Sequence, residues 1–324
     1  DTSEVADSLL ALRWWEMFSD ATLDTLIYTA IENNKDVRIA GAKVLESRAA
    51  LGFTRADIYP QINYQAQISR RNSIGSLQFP VPSNNFFAGA NLSWEIDFWG
   101  KYRRANEAAK ADFFATEFAQ RSVQIEMITQ VAQTYFQLLD YKLRLEISEK
   151  TFNLRDSSLQ IIQAKFSGGM VAEIDLNQAQ VQKAIAETAI PLYKRNVLKT
   201  EYALSILLGE NPHNIIVGKS LLEQDTLVEI PLGLPSEILT HRPDILLAEQ
   251  QLYSQNAKIG IAVAERFPSI SLTGMFGGAT SDLSSFNTLG VAWSVGGDLL
   301  GPLFYFNKRK RKVEIEKART EQIG

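Results

Sequence analysis

Residues 101–167 read KYRRANEAAKADFFATEFAQRSVQIEMITQVAQTYFQLLDYKLRLEISEKTFNLRDSSLQIIQAKFS and contain neither Gly nor Pro. Those two residues are the strongest punctuation in a chain, so the stretch predicts one continuous helix. Apolar residues recur along it at helical steps: Phe114 and Phe118, then Ile125, Ile128, Ala132, Tyr135 and Leu139. Such a helix spans about 100 Å at ~1.5 Å per residue. That is several times the length of a globular helix, and it needs a partner running beside it.

The run ends at Gly168-Gly169, a usual way to stop a helix. A second helical pattern follows through 170–208, where Pro191 is expected to kink or interrupt it. The turn between them reads AKFSGGMVAEIDLNQAQ, starting at Ala164. Asp175 falls where the second helix begins, so it can cap that helix or favour its positive end. From the residues alone, this tip reads equally as a plain hairpin turn.

On both sides of the helices lie segments of alternating polarity. In 61–69, Ile62, Tyr64, Ala66 and Ile68 share one face, against Gln61, Asn63, Gln65, Gln67 and Ser69. In 86–98, Ala88, Ala90, Leu92, Trp94, Ile96 and Phe98 oppose Gly89, Asn91, Ser93, Glu95 and Asp97. A loop with Pro80 and Pro82 makes these two a hairpin. The pattern returns in 269–276 and in 289–298, where Leu289, Val291, Trp293 and Val295 share a face. Half-buried soluble sheet is one reading. Four isolated strands between long helices have no evident soluble core, however, and one-faced strands of about 9–11 residues suit a membrane barrel. Four strands cannot close a barrel alone, so several copies would be needed.

The chain repeats itself. Gly52, Ala56, Asp57, Tyr59 and Pro60 recur as Gly260, Ala264, Glu265, Phe267 and Pro268, a spacing of 208. Asp97 and Gly100 match Asp298 and Gly301 at a spacing of 201, with Lys101, Arg103 and Arg104 after the first pair and Lys308 to Lys312 after the second. The expected organisation is a first repeat over 1–210, a linker over 211–235 and a second repeat over 236–324. The first holds the hairpin 61–98, long helix 101–167, tip 168–175 and return helix to 208. The second holds the hairpin 269–298 and the start of a long helix, and is expected to be cut short.

Composition closes off other classes. With no Cys there are no disulfides, thiolate metal sites or cysteine nucleophiles, and two His leave little for a metal centre. An excess of 37 acidic over 33 basic residues argues against nucleic-acid binding. No secretory signal or apolar window of helix-spanning length is present, a test that says nothing of a barrel. His241-Arg242-Pro243-Asp244 departs from the kinase catalytic loop by its Pro and reads as a helix start. Gly168-Gly169 follows no strand, so it is no phosphate cradle. His213 reads as a solvated linker residue. No carboxylate pair stands out, and neither enzyme activity nor a cofactor is expected.

Three stretches carry a family resemblance: WWEMFSDATLDTLIYTAIENNKDVRIA from Trp14, WEIDFWGKYRRANEAAKADFFAT from Trp94 and GLPSEILTHRPDILLAEQQL from Gly233. With FSGGMVAEID at 166–175, they make the chain similar to the TolC-like outer-membrane efflux factors. The likeness is to the lipoprotein branch that serves resistance–nodulation–division drug pumps, and it covers nearly the whole chain. The resemblance implies a coiled-coil helical tunnel, an α-barrel, joined to transmembrane β-strands, four per protomer of a homotrimer with a twelve-stranded barrel. It implies a passive exit duct in the outer membrane of a Gram-negative bacterium, reaching into the periplasm. A periplasmic adaptor and an inner-membrane pump would be its partners.

Residue by residue, Gly168, Gly169, Met170 and Val171 match the adaptor-binding tip, and Asp175 matches an aspartate of the periplasmic gate. A reading of Asp175 as a helix start stands beside that one. Asn63, Gln65, Asn91, Ser93 and Glu95 would line the channel; Tyr64, Leu92, Trp94 and Trp293 would face lipid. Departures from the pattern are the missing second tip and second coil, the lack of a lipid-bearing Cys in this chain, and Tyr305, Phe306 and Asn307 where small residues are usual. A type I protein secretion duct and a soluble coiled-coil scaffold are the alternative readings.

Overall fold

The structure, a computed structural model, describes residues 14–73, 81–224, 242–282 and 290–323. Its helices are α1 (Ala21–Asn33), α2 (Lys35–Ala56), α3 (Lys101–Ser167), α4 (Glu173–Leu207), α5 (Pro243–Ala264) and α6 (Lys308–Glu321). Its strands are β1 (Gln61–Ser73), β2 (Val81–Ile96), β3 (Ser269–Thr280) and β4 (Gly290–Leu300). Pro80, His241, Leu289 and residues 225–235 of the expected linker lie outside the described residues. The long helix runs unbroken for 67 residues, with the bounds expected from its lack of Gly and Pro.

The chain forms two compact units. One is drawn from residues 1–42 and 119–245. Its core gathers Leu23 and Ile27 of α1, Val131, Tyr135, Leu138 and Leu139 of α3, and Leu204 of α4. Ile128, Ala132, Tyr135 and Leu139 of the expected apolar stripe are buried there, whereas Phe114 and Ile125 stay exposed. In the other unit, Ala108, Ala111 and Ala115 are buried. Small side chains let a neighbouring backbone approach, a preference that a search for large apolar residues misses.

A buried carboxylate ties the first unit together. Asp20 caps α1 by accepting from Thr22 N–H at 2.9 Å and Leu23 N–H at 3.3 Å through Oδ1. Its Oδ2 accepts the Tyr135 hydroxyl at 2.7 Å and the Gln224 amide at 2.8 Å. Burial pushes the Asp20 carboxyl up, but these four donors outweigh it and hold it below the ordinary value. Asn34 plays a matching part at the start of α2. Its Oδ1 accepts from Asp36 N–H at 2.8 Å while its amide donates to the Leu207 carbonyl at 2.8 Å.

Pro191 does not break the return helix. α4 continues through it for 35 residues, contrary to the expected interruption. Proline removes one backbone hydrogen bond. The helix is held on both sides by pairs to α3: Lys183–Asp156 at 2.7 Å and Lys194–Glu149 at 3.4 Å.

The second unit, from residues 43–118 and 246–324, carries one antiparallel sheet in the order β1-β2-β3-β4. β1, β3 and β4 run past the C-terminal ends expected from polarity, because the ladder continues where alternation fades, whereas β2 starts earlier, at Val81, and stops at Ile96, short of the expected 98. The repeat is visible here, with one correction. α2 and α5 are both 22 residues long, and Lys35, Ala56 and Gln61 correspond to Pro243, Ala264 and Ser269 at the spacing of 208. The second half of the unit is spaced by 207, not 201: α3 opens at Lys101 and α6 at Lys308. Left-handed residues precede both helices, Gly100 at φ 79° and Asn307 at φ 64°. Strand register agrees, since Gln61 lies opposite Ser93 and Ser269 opposite Leu300. The matched Asp and Gly letters at 298–301 therefore mislead. The turn demands a residue that tolerates positive φ, which Gly and Asn both do.

Asp20 also yields a pH test. A carboxyl depressed in the folded state adds stability that is complete above its ordinary value of 3.8 and is lost as pH falls through the folded value. Asp20→Asn should lower stability at neutral pH by about 1–3 kcal/mol. Thermal melts followed by helical circular dichroism should show that gap narrow below pH ~4. A gap that widens in acid would contradict the assignment.

Candidate functional site

The register sorts the sheet into two faces. One row across the strands runs Tyr64–Ala90–Phe276–Trp293. Tyr64 is 96% exposed and Trp293 is 70% exposed, so these two aromatic rings cover no core among the described residues. Ile62, Leu92, Val295 and Leu299 lie on the same face by the same pairing. Trp94 also lies on it, half-buried, with its indole N–H donating to the Ile58 carbonyl at 2.9 Å.

The opposite face brings together Asn63 and Asn91, Gln61 and Ser93, and Gln65 and Gly89. Met275 sits beside Asn91, and Phe87 falls on this face as well. The sequence reading missed Phe87, which is only 6% exposed. Gly89 and Gly277 pair next to it, and a Cβ on Gly89 would stand 2.4 Å from the Phe276 carbonyl oxygen and 2.8 Å from the Phe87 ring. The phenyl ring occupies space beside Gly89, while a Cβ on Gly277 would stand 2.4 Å from the Ala88 carbonyl oxygen. A large aromatic two positions from a glycine was the available signal.

Glu95 is not a free charge on that face. Its carboxylate accepts Lys101 Nζ at 2.9 Å and the Tyr102 hydroxyl at 3.0 Å. Burial, then that hydrogen bond, raises the Tyr102 phenol above its ordinary value and keeps it a donor. Asp97 accepts from the backbone N–H groups of Tyr102 at 3.0 Å and Arg103 at 2.8 Å, which caps α3 where four donors would otherwise be orphaned. The two carboxylates thus bolt the long helix to the end of β2. A cavity of about 280 Å³ opens beside them, with Glu265 and Arg309 also on its wall. Glu265 there accepts Arg309 at 3.0 Å and Lys312 at 2.6 Å.

At the far end of α3, the tip closes with a tight glycine motif. Met170 N–H reaches the Lys165 carbonyl and Gly169 N–H the Phe166 carbonyl, each at 2.9 Å, with Gly169 left-handed at φ 69°. That pairing is the Schellman arrangement. It leaves Met170 71% exposed and Ile174 64% exposed, with Phe166 and Val171 beside them in sequence. Asp175 starts α4, accepting from Ala172 N–H at 3.2 Å. Ala172 has no side-chain acceptor, so only this half of a capping box exists. Asp175 also borders a groove of about 240 Å³ that Arg155 and Gln178 share. The His241 motif resolves as a helix start where it is described. Pro243 opens α5, and Arg242 pairs with Asp244 at 2.6 Å. Among the described residues, no group of His, Asp and Glu is arranged to hold a metal. No described helix is long and apolar enough to cross a membrane.

Comparison with known proteins places this geometry. Residues 26–210 and 234–323 match the family model described as outer membrane efflux protein. The chain is 35% identical over 323 residues to the cation efflux system protein CusC of Escherichia coli O6:H1, covering 98% of this chain and 69% of that protein. It is 35% identical over 311 residues to the solvent efflux pump outer membrane protein SrpC of Pseudomonas putida, covering 95% of this chain and 66% of that one. A crystal structure of CusC superposes with a TM-score of 0.87 at 32% identity, over 97% of this chain and 74% of that chain.

The glycine pair gives a direct test. Gly89→Ala should force β2 and β3 apart and cost about 1–3 kcal/mol, whereas Ser93→Ala should change stability by under about 0.5 kcal/mol. Equal denaturation midpoints for the two variants in detergent would refute the close approach.

Proposed function

The chain belongs to the outer membrane efflux protein family, and on that premise we propose that it is one protomer of a passive exit duct. An inner-membrane pump of the resistance–nodulation–division type would supply small molecules to it through a periplasmic adaptor. The carrying observation is the sheet: four strands with an exposed aromatic face and no partner at either outer edge among the described residues. In lipid, every backbone N–H and C=O must be satisfied, and a closed barrel is the only sheet that does so. Three copies joining edge to edge make twelve strands. The row of Tyr64, Phe276 and Trp293 then meets lipid, with aromatics at one level as interfacial girdles require. Asn63, Gln65, Asn91 and Ser93 line the water-filled side.

The helices support the same reading. Ile147, Leu154 and Ile161 recur every seven residues along α3 and are each more than half exposed. A seven-residue apolar repeat is a coiled-coil seam, and no described residue of the chain fills this one. Val181 and Ile185 on α4 are exposed in the same way. Neighbouring protomers fill such seams when helices from three chains form a tunnel wall. The exposed Met170 and the half-buried Val171 at the tip present the adaptor-binding surface. Asp175 beside Arg155 supplies a carboxylate that a neighbouring coil can engage when the periplasmic end closes.

Two measurements test this. The chain has no Cys, so single-Cys variants report without background. Tyr64→Cys should react with lipid-phase probes and Asn63→Cys with water-soluble ones; the reverse pattern would sink the barrel reading. Gly169→Val forces a β-branched residue into left-handed backbone and should weaken adaptor cross-linking severalfold while leaving chain–chain cross-linking intact. Unchanged adaptor cross-linking would remove the tip from the docking surface.

A further inference from the structure

The corrected repeat exposes an unfilled contact. Within the chain, Trp99 follows β2 and packs on the corner where α5 turns into β3. Its ring stacks on Phe267 at 4.5 Å and 17°, and its indole N–H donates to the Pro268 carbonyl at 2.7 Å. The same corner exists in the first repeat, at the spacing of 208, as Tyr59-Pro60. The two turns are built alike: Tyr59 N–H reaches the Ala56 carbonyl and Phe267 N–H the Ala264 carbonyl, each at 3.1 Å. Yet Tyr59 is 58% exposed, and among the described residues no ring stacks on it.

The residue that corresponds to Trp99, at the spacing of 207, is Phe306. It stands 83% exposed after β4, in left-handed backbone at φ 48°. Leu303 and Phe304 beside it are exposed as well. The Phe306 ring meets the equally exposed Phe304 edge-on, with centroids 4.5 Å apart, and stays largely in solvent, an unfavourable arrangement for an isolated chain with a Phe in left-handed backbone. One repeat therefore has a ring that rests on an exposed neighbour, and the other has a corner on which no described ring stacks.

We propose that Phe306 of one copy packs on the Tyr59-Pro60 corner of the next, which makes Phe306 the interchain counterpart of Trp99. The inference rests on the ring assembly proposed above and names its contact. The topology permits it. Trp99 meets Phe267 because β2 and β3 are antiparallel neighbours, and β4 would meet β1 of the next copy in the same sense. This is a heterologous head-to-tail contact, the kind that closes a ring. The ring–ring packing suits offset or edge-on aromatic pairing. The β2–β3 register sets the seam: Leu92 opposite Gly274 and Ala90 opposite Phe276 become Leu299 opposite Ala66 and Gly297 opposite Ile68 between copies. All four of those residues fall on the apolar face, so the seam keeps that face continuous around the ring. A one-residue slip would break it.

The test places a benzophenone amino acid at one position at a time in the full chain and mixes isotopically heavy and light copies in detergent. Photocross-links are mapped by mass spectrometry. The Trp99→p-benzoylphenylalanine chain should link to the Phe267 peptide of its own copy, which calibrates the probe's reach. The Phe306 probe should link to the Tyr59 peptide of a different copy, and a Leu299 probe to β1 of a different copy. Tyr59→Ala should lower the Phe306 cross-link severalfold, and Tyr59→Phe should retain it. If the Leu299 probe crosses between copies and the Phe306 probe does not reach the corner, the contact is wrong and the duct stands. If neither probe crosses between copies, both the contact and the ring assembly are overturned.

Discussion

Unpaired backbone along the outer edges of β1 and β4 is the constraint on which the rest of this molecule turns. The sheet orders as β1-β2-β3-β4, so its first and last strands each offer a row of N–H and C=O groups to no described partner. In water such an edge invites uncontrolled pairing. In lipid it is untenable, since each unsatisfied polar group costs several kcal/mol. Charge on these edges is confined to Arg70 and Arg71 near the end of β1 and to Asp298 of β4. β1 presents Ile62, Tyr64 and Ile68 in alternation, and β4 presents Val291, Trp293, Val295 and Leu299, all exposed. Closure with further copies satisfies the edges and hides no apolar face that lipid cannot cover.

Closure by copies requires that the two ends of the sheet match, and the internal repeat provides the match. α2 and α5 have equal lengths, β1 and β3 begin at equivalent residues, and α3 and α6 both follow a left-handed residue. The helices inherit their positions from these junctions. Asp97 and Glu95 at the end of β2 hold the first turn of α3 through backbone and side-chain bonds of 2.8–3.0 Å. A helix of 67 residues amplifies any error in its starting angle, so a rigidly capped origin is what a long tunnel wall needs. At the other unit, Asp20 and Asn34 do the corresponding work by linking α1, α2, α3 and α4 through buried polar contacts. The tip hairpin, by contrast, is bridged by the Lys183–Asp156 and Lys194–Glu149 pairs, which solvent and salt screen.

Much of this was legible from residue order. The bounds of α3 follow from the absence of Gly and Pro, and the strand faces follow from strict alternation around Tyr64 and Leu92. Other features were hidden for stated physical reasons. Pro191 signals a break by its local chemistry, yet α4 runs through it, with ion pairs to α3 on either side. The repeat was misaligned by six residues because Asp298 and Gly301 copy the letters of Asp97 and Gly100. The property that recurs is backbone handedness, and it moves from Gly100 to Asn307. The burial of Phe87 was missed because it depends on Gly89 leaving room beside its ring. Glu95 read as a lining charge, whereas its carboxylate belongs to the joint with α3. Pairing across 115 residues, as between Asp20 and Tyr135, leaves no local trace in a sequence.

Native mass spectrometry of the detergent-solubilised chain tests the central claim most directly. A sheet with two open edges and a lipid-facing aromatic row predicts a species of three chains that persists only in detergent. A monodisperse single chain, stable and soluble with detergent removed, would contradict the account.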